Sequence, residues 1–132
     1  MAAEFSRSVA ADIAVLPDLL DAIEAWLGEA GVPIADIARV MIAFDELLSN
    51  IANYGGGTIM VTIGLDAGVL RATIADTGPP FDPLALPAPD TDAGIDERAV
   101  GGLGIHLVCE MMDEVGYVYE AGQNRLTFHK TF

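Results

Sequence analysis

Basic residues are scarce in this 132-residue sequence. Arg7, Arg39, Arg71, Arg98, Arg125 and Lys130 stand against twenty Asp and Glu, giving a net charge of −14. Such a chain is repelled by nucleic acid and by anionic membrane surfaces, so direct binding to either is not expected. Any nucleotide site in it must hold phosphates mainly with backbone N–H groups and a metal ion. Cysteine is nearly absent as well. The single Cys109, in an apolar setting, excludes an internal disulfide and predicts a buried thiol in a reducing cytosol. No apolar run approaches the roughly eighteen residues a membrane span needs. Met1-Ala2-Ala3-Glu4 lacks the basic-then-apolar order of a signal peptide, so a cytoplasmic protein is expected.

What is present is a hydrophobic fraction of 52% and a length suited to one domain with a real core. Phe5–Ala10 alternates weakly, as an edge strand would. Asp12–Ala30 places Leu16, Leu19, Leu20, Ile23, Trp26 and Leu27 at helical spacing, with Pro17 in the first turn and Gly31 and Pro33 as stops. A second helix is predicted from Ile34 to Tyr54, ended by Gly55-Gly56-Gly57. Thr58–Leu65 and Val69–Ala75 alternate as two strands of a hairpin. Pro79–Val100 reads as a long loop of the kind that is often a lid. A short helix over Gly102–Met112 and a final hairpin, Val115–Ala121 with Asn124–Lys130, complete the chain. With no repeats and no linker, residues 1–132 are expected to form one α+β domain. Its architecture should be two layers: a mixed, mostly antiparallel sheet with helices on one face.

Three segments carry chemistry. In the second helix, which carries "MIAFDELLSNIANYG" (41–55), Ile37, Val40, Phe44, Leu47, Leu48 and Ile51 form a core stripe. Arg39, Ile42, Ala43, Glu46, Asn50 and Asn53 fall opposite it, and Asp45 lies to one side as a bystander. Glu46 and Asn50 are one turn apart, about 6 Å along the axis. A carboxylate and an amide oxygen so placed can share a hard cation and a water or hydroxyl, although an ordinary solvated face would look the same. In "ATIADTGPPFDP" (72–83) a strand ends in Asp76-Thr77-Gly78. A carboxylate beside a residue without a side chain suits a flat ring with an exocyclic amine, but also a plain turn. Asp-Thr-Gly is also the aspartic-protease triplet, yet one copy and two long helices argue against that architecture. In "AVGGLGIHLVCEMMDEV" (99–115), Gly101, Gly102 and Gly104 lead into an apolar helix, whose first N–H groups suit an anion. No Walker lysine follows, and the dinucleotide pattern is not met. His106 reads as structural, and no metal-ligand cluster is visible.

Taken in order, Glu46-x-x-x-Asn50, Asp76-x-Gly78 with Phe81-Asp82, and Gly101-Gly102-Leu103-Gly104-Ile105 resemble the N, G1 and G2 boxes of the GHKL (Bergerat-fold) ATP-binding superfamily. "DTGPPFDP" and the tail "MMDEVGYVYEAGQNRLTFHK" (111–130) look like the stand-alone anti-sigma-factor serine kinases of the RsbW/SpoIIAB type. That resemblance implies ATP/ADP and Mg²⁺ as cofactors. It implies Glu46 as general base and Asn50 as the Mg²⁺ ligand, with Asn53 contributing on the same helix face. Asp76 would read the adenine amine, with Gly78 beneath the ring and Phe81 beside it. Gly101, Gly102, Leu103 and Gly104 would bind phosphate, and 83–100 would be the ATP lid. With basic residues so few, Arg98 is the nearby cation able to close on phosphate, although a solvated loop arginine would look the same. The implied partners are a STAS-type anti-anti-sigma protein, phosphorylated on serine, and a sigma factor held by the domain; family members are often homodimers. The alternative is a nucleotide-binding switch that sequesters a protein without phosphorylating it. A histidine-kinase fragment would need dimerisation helices with a phosphoacceptor histidine, and a topoisomerase or mismatch-repair ATPase would need further domains.

Overall fold

Alternation of apolar and polar residues dictates the sheet. In the computed structural model, which describes residues 3–54, 57–85 and 102–132, the strands are β1 (Ala3–Ala10), β2 (Thr58–Asp66), β3 (Val69–Asp76), β4 (Glu114–Glu120) and β5 (Gln123–Thr131). Their spatial order is β1-β2-β3-β5-β4, and every pairing among the described residues is antiparallel. Register stacks the buried side chains in rows across the sheet. Ile63, Ala72 and Phe128 form one row, and Val61, Ile74 and Leu126 the next. The following row, at the end of the sheet, is Ile59, Asp76 and Asn124. Two buried polar residues thus occupy an apolar face at its edge.

Helices α1 (Leu16–Glu29), α2 (Ile34–Tyr54) and α3 (Gly102–Met111) cover that face. α1 buries Leu16, Leu19, Ile23 and Leu27, and α2 buries Val40, Ala43, Phe44, Leu47 and Leu48. Full burial of each large apolar side chain stabilises by roughly 1.5–3 kcal/mol. The Phe44 ring meets Phe128 edge-on at 5.2 Å, which fixes α2 over β5. α2 also packs against both α1 and α3. A 3-10 turn, Ile13–Val15, precedes α1, and Asp12 caps it by accepting from the Ala14 N–H at 2.9 Å. The predicted single helix from Asp12 is therefore split at this cap, with Pro17 in the first turn of α1 as expected.

The α2–β2 connection is tightly held. Thr77 Oγ1 accepts from the Thr58 N–H at 2.9 Å, and Gly57 has φ +74° with no room for a Cβ, which would lie 2.1 Å from that oxygen. Both hairpins turn on an Ala-Gly pair in the left-handed region, Ala67-Gly68 and Ala121-Gly122. One expectation is corrected: Cys109 is exposed, not buried. α3 turns Ile105 and Val108 inward, with Met112 following, and this stripe leaves position 109 on the outer side. No helix among the described residues is long and apolar enough to cross a membrane.

Candidate active site

The polar end of the sheet and the last turns of α2 enclose a narrow cleft of about 30 Å³. Leu47 and Ile51 of α2 form one apolar wall, and Ile74 and Leu126 of the sheet form the other. Asn50, Asp76, Asn124 and Tyr117 supply the polar groups, and Phe81 and Pro83 flank the opening. A flat ring entering between two apolar walls would meet a few fixed polar atoms.

Asp76, only 4% exposed, ends β3 facing inward. Its Oδ1 accepts from the Gly78 N–H at 2.9 Å and from Asn124 Nδ2 at 3.0 Å. Among the described residues Oδ2 has no hydrogen-bond partner. An ionised carboxylate only accepts, so this free oxygen calls for a donor such as a ring amine. Gly78 is buried beside it, and Phe81, half-buried, gives its backbone N–H to Asn124 Oδ1 at 2.9 Å. Asp82 accepts from the Leu84 N–H at 2.9 Å and so starts a 3-10 turn, Pro83–Ala85.

Asn50 is 8% exposed, and its Nδ2 is buried without a partner. Leaving such a group unpaired costs about 1–3 kcal/mol, a cost that a bound ligand can remove. Glu46, one turn earlier and partly exposed, is raised above 4.5 by burial and then by the neighbouring Asp45 charge. Asn50 is near enough to offset part of that rise, although its Nδ2 makes no hydrogen bond of normal geometry. A carboxylate tuned upward is a better proton acceptor near neutrality. Among the described residues no group of three or more His, Cys, Asp or Glu could hold a metal. A Mg²⁺ ion would therefore take one or two oxygens from the chain and the rest from phosphate and water, its usual manner of binding. Asn50 would offer such an ion its Oδ1, with Glu46 beside it, while the orphaned Nδ2, a donor, calls for an acceptor such as a phosphate oxygen.

The cleft thus brings together Asn50, Asp76 and Phe81, with Glu46 a turn beyond; Gly78 bonds to Asp76 but does not line the cleft. Asn53 is exposed on α2 and is not among the lining residues. Gly102, Leu103 and Gly104 form the first turn of α3, which packs on α2. Gly101, Arg98 and most of the predicted lid, 86–100, lie outside the described residues. Asp45 is exposed near Ser49, and His106 pairs with Glu110 at 3.0 Å on the outside of α3. Sequence reasoning missed Asn124 and Tyr117. Asn124 alternates with Leu126 and Phe128, and a polar residue at an inward strand position was the available signal. Tyr117, paired with Leu126 across β4 and β5, donates its hydroxyl to Asn124 Oδ1. Burial, then the nearby Asp82 and Asp76 carboxylates, push that hydroxyl up, so it remains a donor.

A profile of the family described as histidine kinase-like ATPase domain matches residues 9–130. No curated protein matches the sequence closely enough to count as a relative. Among solved structures, the crystal structure of the RsbU and RsbW domains of Rv1364c from Mycobacterium tuberculosis is similar, with a TM-score of 0.70 over 98% of this chain at 19% identity. This chain spans 32% of that one, so the likeness is of fold to a part of it.

Proposed function

Since the chain belongs to the histidine kinase-like ATPase domain family, we propose that its cleft binds ATP and that the protein is a cytoplasmic, Mg²⁺-dependent serine-protein kinase and anti-sigma regulatory factor. Its substrate is a serine of a STAS-type anti-anti-sigma protein, and its second partner is a sigma factor that it sequesters. Residues 1–132 act as one kinase domain. The observation that carries this reading is the pairing, in one cleft, of Asp76 with an open oxygen and Asn50 with an orphaned amide.

Asp76 accepts from the adenine amine, and Gly78 and Phe81 lie against the ring. The backbone N–H groups of Gly101, Gly102, Leu103 and Gly104 bind phosphate oxygens at the start of α3. Mg²⁺, held by Asn50 and phosphate, supplies when bound the positive charge that this acidic chain lacks. Glu46 takes the proton from the substrate serine hydroxyl. The serine oxygen bonds to the γ-phosphorus as the bond to the β,γ-bridging oxygen breaks, giving ADP and phosphoserine. Glu46 then releases its proton to water. Such positioning and base catalysis are the main protein contributions to phosphoryl transfer.

The test is capture of partners from native lysate by the purified chain, with and without Mg-ATP, followed by phosphosite mapping. Phosphoserine on a captured STAS protein, absent with a Glu46→Gln chain, is the expected result. A partner that binds and releases with ATP but never carries phosphate would instead establish a non-catalytic switch.

A further inference from the structure

Resting on the ATP-binding reading above, we infer that Asn124 is the positioning residue that gives this site its preference for adenine. It ties Asp76 to the backbone turn 78–81 that follows it. Asn124 is 5% exposed, and every polar atom of its side chain is engaged. Its Oδ1 accepts from the Phe81 N–H and from the Tyr117 hydroxyl. The Phe81 donor is fixed, because a backbone N–H cannot reverse its role. The amide can therefore face only one way, with Nδ2 toward Asp76.

From that side Nδ2 reaches Asp76 Oδ1 at 3.0 Å, the Pro79 carbonyl at 2.8 Å and the Gly78 carbonyl at 3.3 Å. One side chain thus joins β4, β5, the end of β3 and the turn after it. The consequence for chemistry lies in the Asp76 carboxylate. With Oδ1 taken by the Gly78 N–H and Asn124, the group cannot rotate without breaking two hydrogen bonds. Oδ2 is then presented as a bare acceptor at a fixed place. A purine with an amine there is accepted. One with a carbonyl oxygen, as in guanine, meets lone pair against lone pair and is rejected, because a site built for a donor leaves its acceptor unpaired. Without Asn124 the carboxylate would turn, and the discrimination would fade.

Titration calorimetry of the purified chain with Mg-ATP and Mg-GTP tests this. The wild type should prefer ATP. Asn124→Leu, which fills the space without hydrogen bonds, should lose on the order of tenfold in ATP affinity, the size of one or two hydrogen bonds. Its weak GTP affinity should fall by less than about threefold, so that the ATP:GTP ratio falls about three- to tenfold. Should Asn124→Leu fail to fold, Asn124→Ala decides, because it removes the donor to Asp76 without placing a second carboxylate beside it. It should show the same drop in ratio in a chain whose far-ultraviolet circular dichroism shows it folded. Equal losses for both nucleotides, or an unchanged ratio, would overturn the inference and reduce Asn124 to a packing residue. A wild-type chain that binds neither nucleotide would instead overturn the ATP-binding reading, and this inference with it.

Discussion

Burial raises Glu46, and the adjacent Asp45 charge adds to the rise. The folded chain therefore holds a proton there over a pH window in which the unfolded chain, titrating near 4.5, has lost it. Stability must fall as pH rises through that window and stay lowered above it. Glu46→Gln removes the burdened charge. At neutral pH the variant should be more stable than wild type in urea unfolding, and the two should converge below the ordinary carboxylate value. Phosphoryl transfer should meanwhile drop about 10²–10⁴-fold with ATP affinity kept. A solvated bystander acid would give neither effect. Asn50 yields a parallel test, because its buried Nδ2 is unpaired without ligand. Asn50→Ala should stabilise the ligand-free chain by up to about 1 kcal/mol while removing Mg²⁺-dependent ATP binding. Loss of stability together with retained binding would show that the amide is structural.

Among the elements, those with a clear period were legible. α2 runs from Ile34 to Tyr54 as its core stripe predicts, and β2 and β3 follow their alternation to within a residue. Glu46, Asn50, Asp76 and Gly78 stand out in the sequence because their spacing matches a known pattern. Asn124 and Tyr117 do not, since their roles come from strand pairing between residues 48 positions apart, as in the Asp76–Asn124 bond. Cys109 was misjudged because α3 carries apolar residues on its outer side as well, Leu107 among them. The hairpins were placed, but their turn type was not. Ala67 and Ala121 carry φ of 53° and 52°, which two-residue type I′ turns require and which Asn or Gly adopts more readily. Ala67 is exposed and far from the cleft. Ala67→Asn should therefore stabilise the chain by about 0.5–1 kcal/mol without changing nucleotide affinity, read as a shift in urea midpoint at constant slope. No gain would mean the turn relaxes elsewhere.

At the scale of the whole molecule, a chain of net charge −14 that binds an anion is an electrostatic contradiction. Its side-chain cations do little to relieve it. Arg39 pairs with Asp36 at 3.5 Å, Arg125 with Glu120 at 3.8 Å and Lys130 with Asp113 at 3.9 Å. The local attraction must then come from short-range sources, backbone N–H groups and Mg²⁺, acting against a long-range repulsion from the rest of the surface. Salt separates the two. The screening length shrinks from about 30 Å at 0.01 M to about 8 Å at 0.15 M, so added salt suppresses the repulsion far more than the contacts within the cleft. ATP affinity at constant free Mg²⁺ should rise several-fold over that range. A site that grips phosphate with basic side chains shows the reverse. Association rates should rise with salt while dissociation rates change little, because the repulsion acts on approach rather than on the bound state. Stopped-flow binding at several ionic strengths measures both. A steady loss of affinity with salt would show that cationic side chains, Arg98 first among them, supply the phosphate grip.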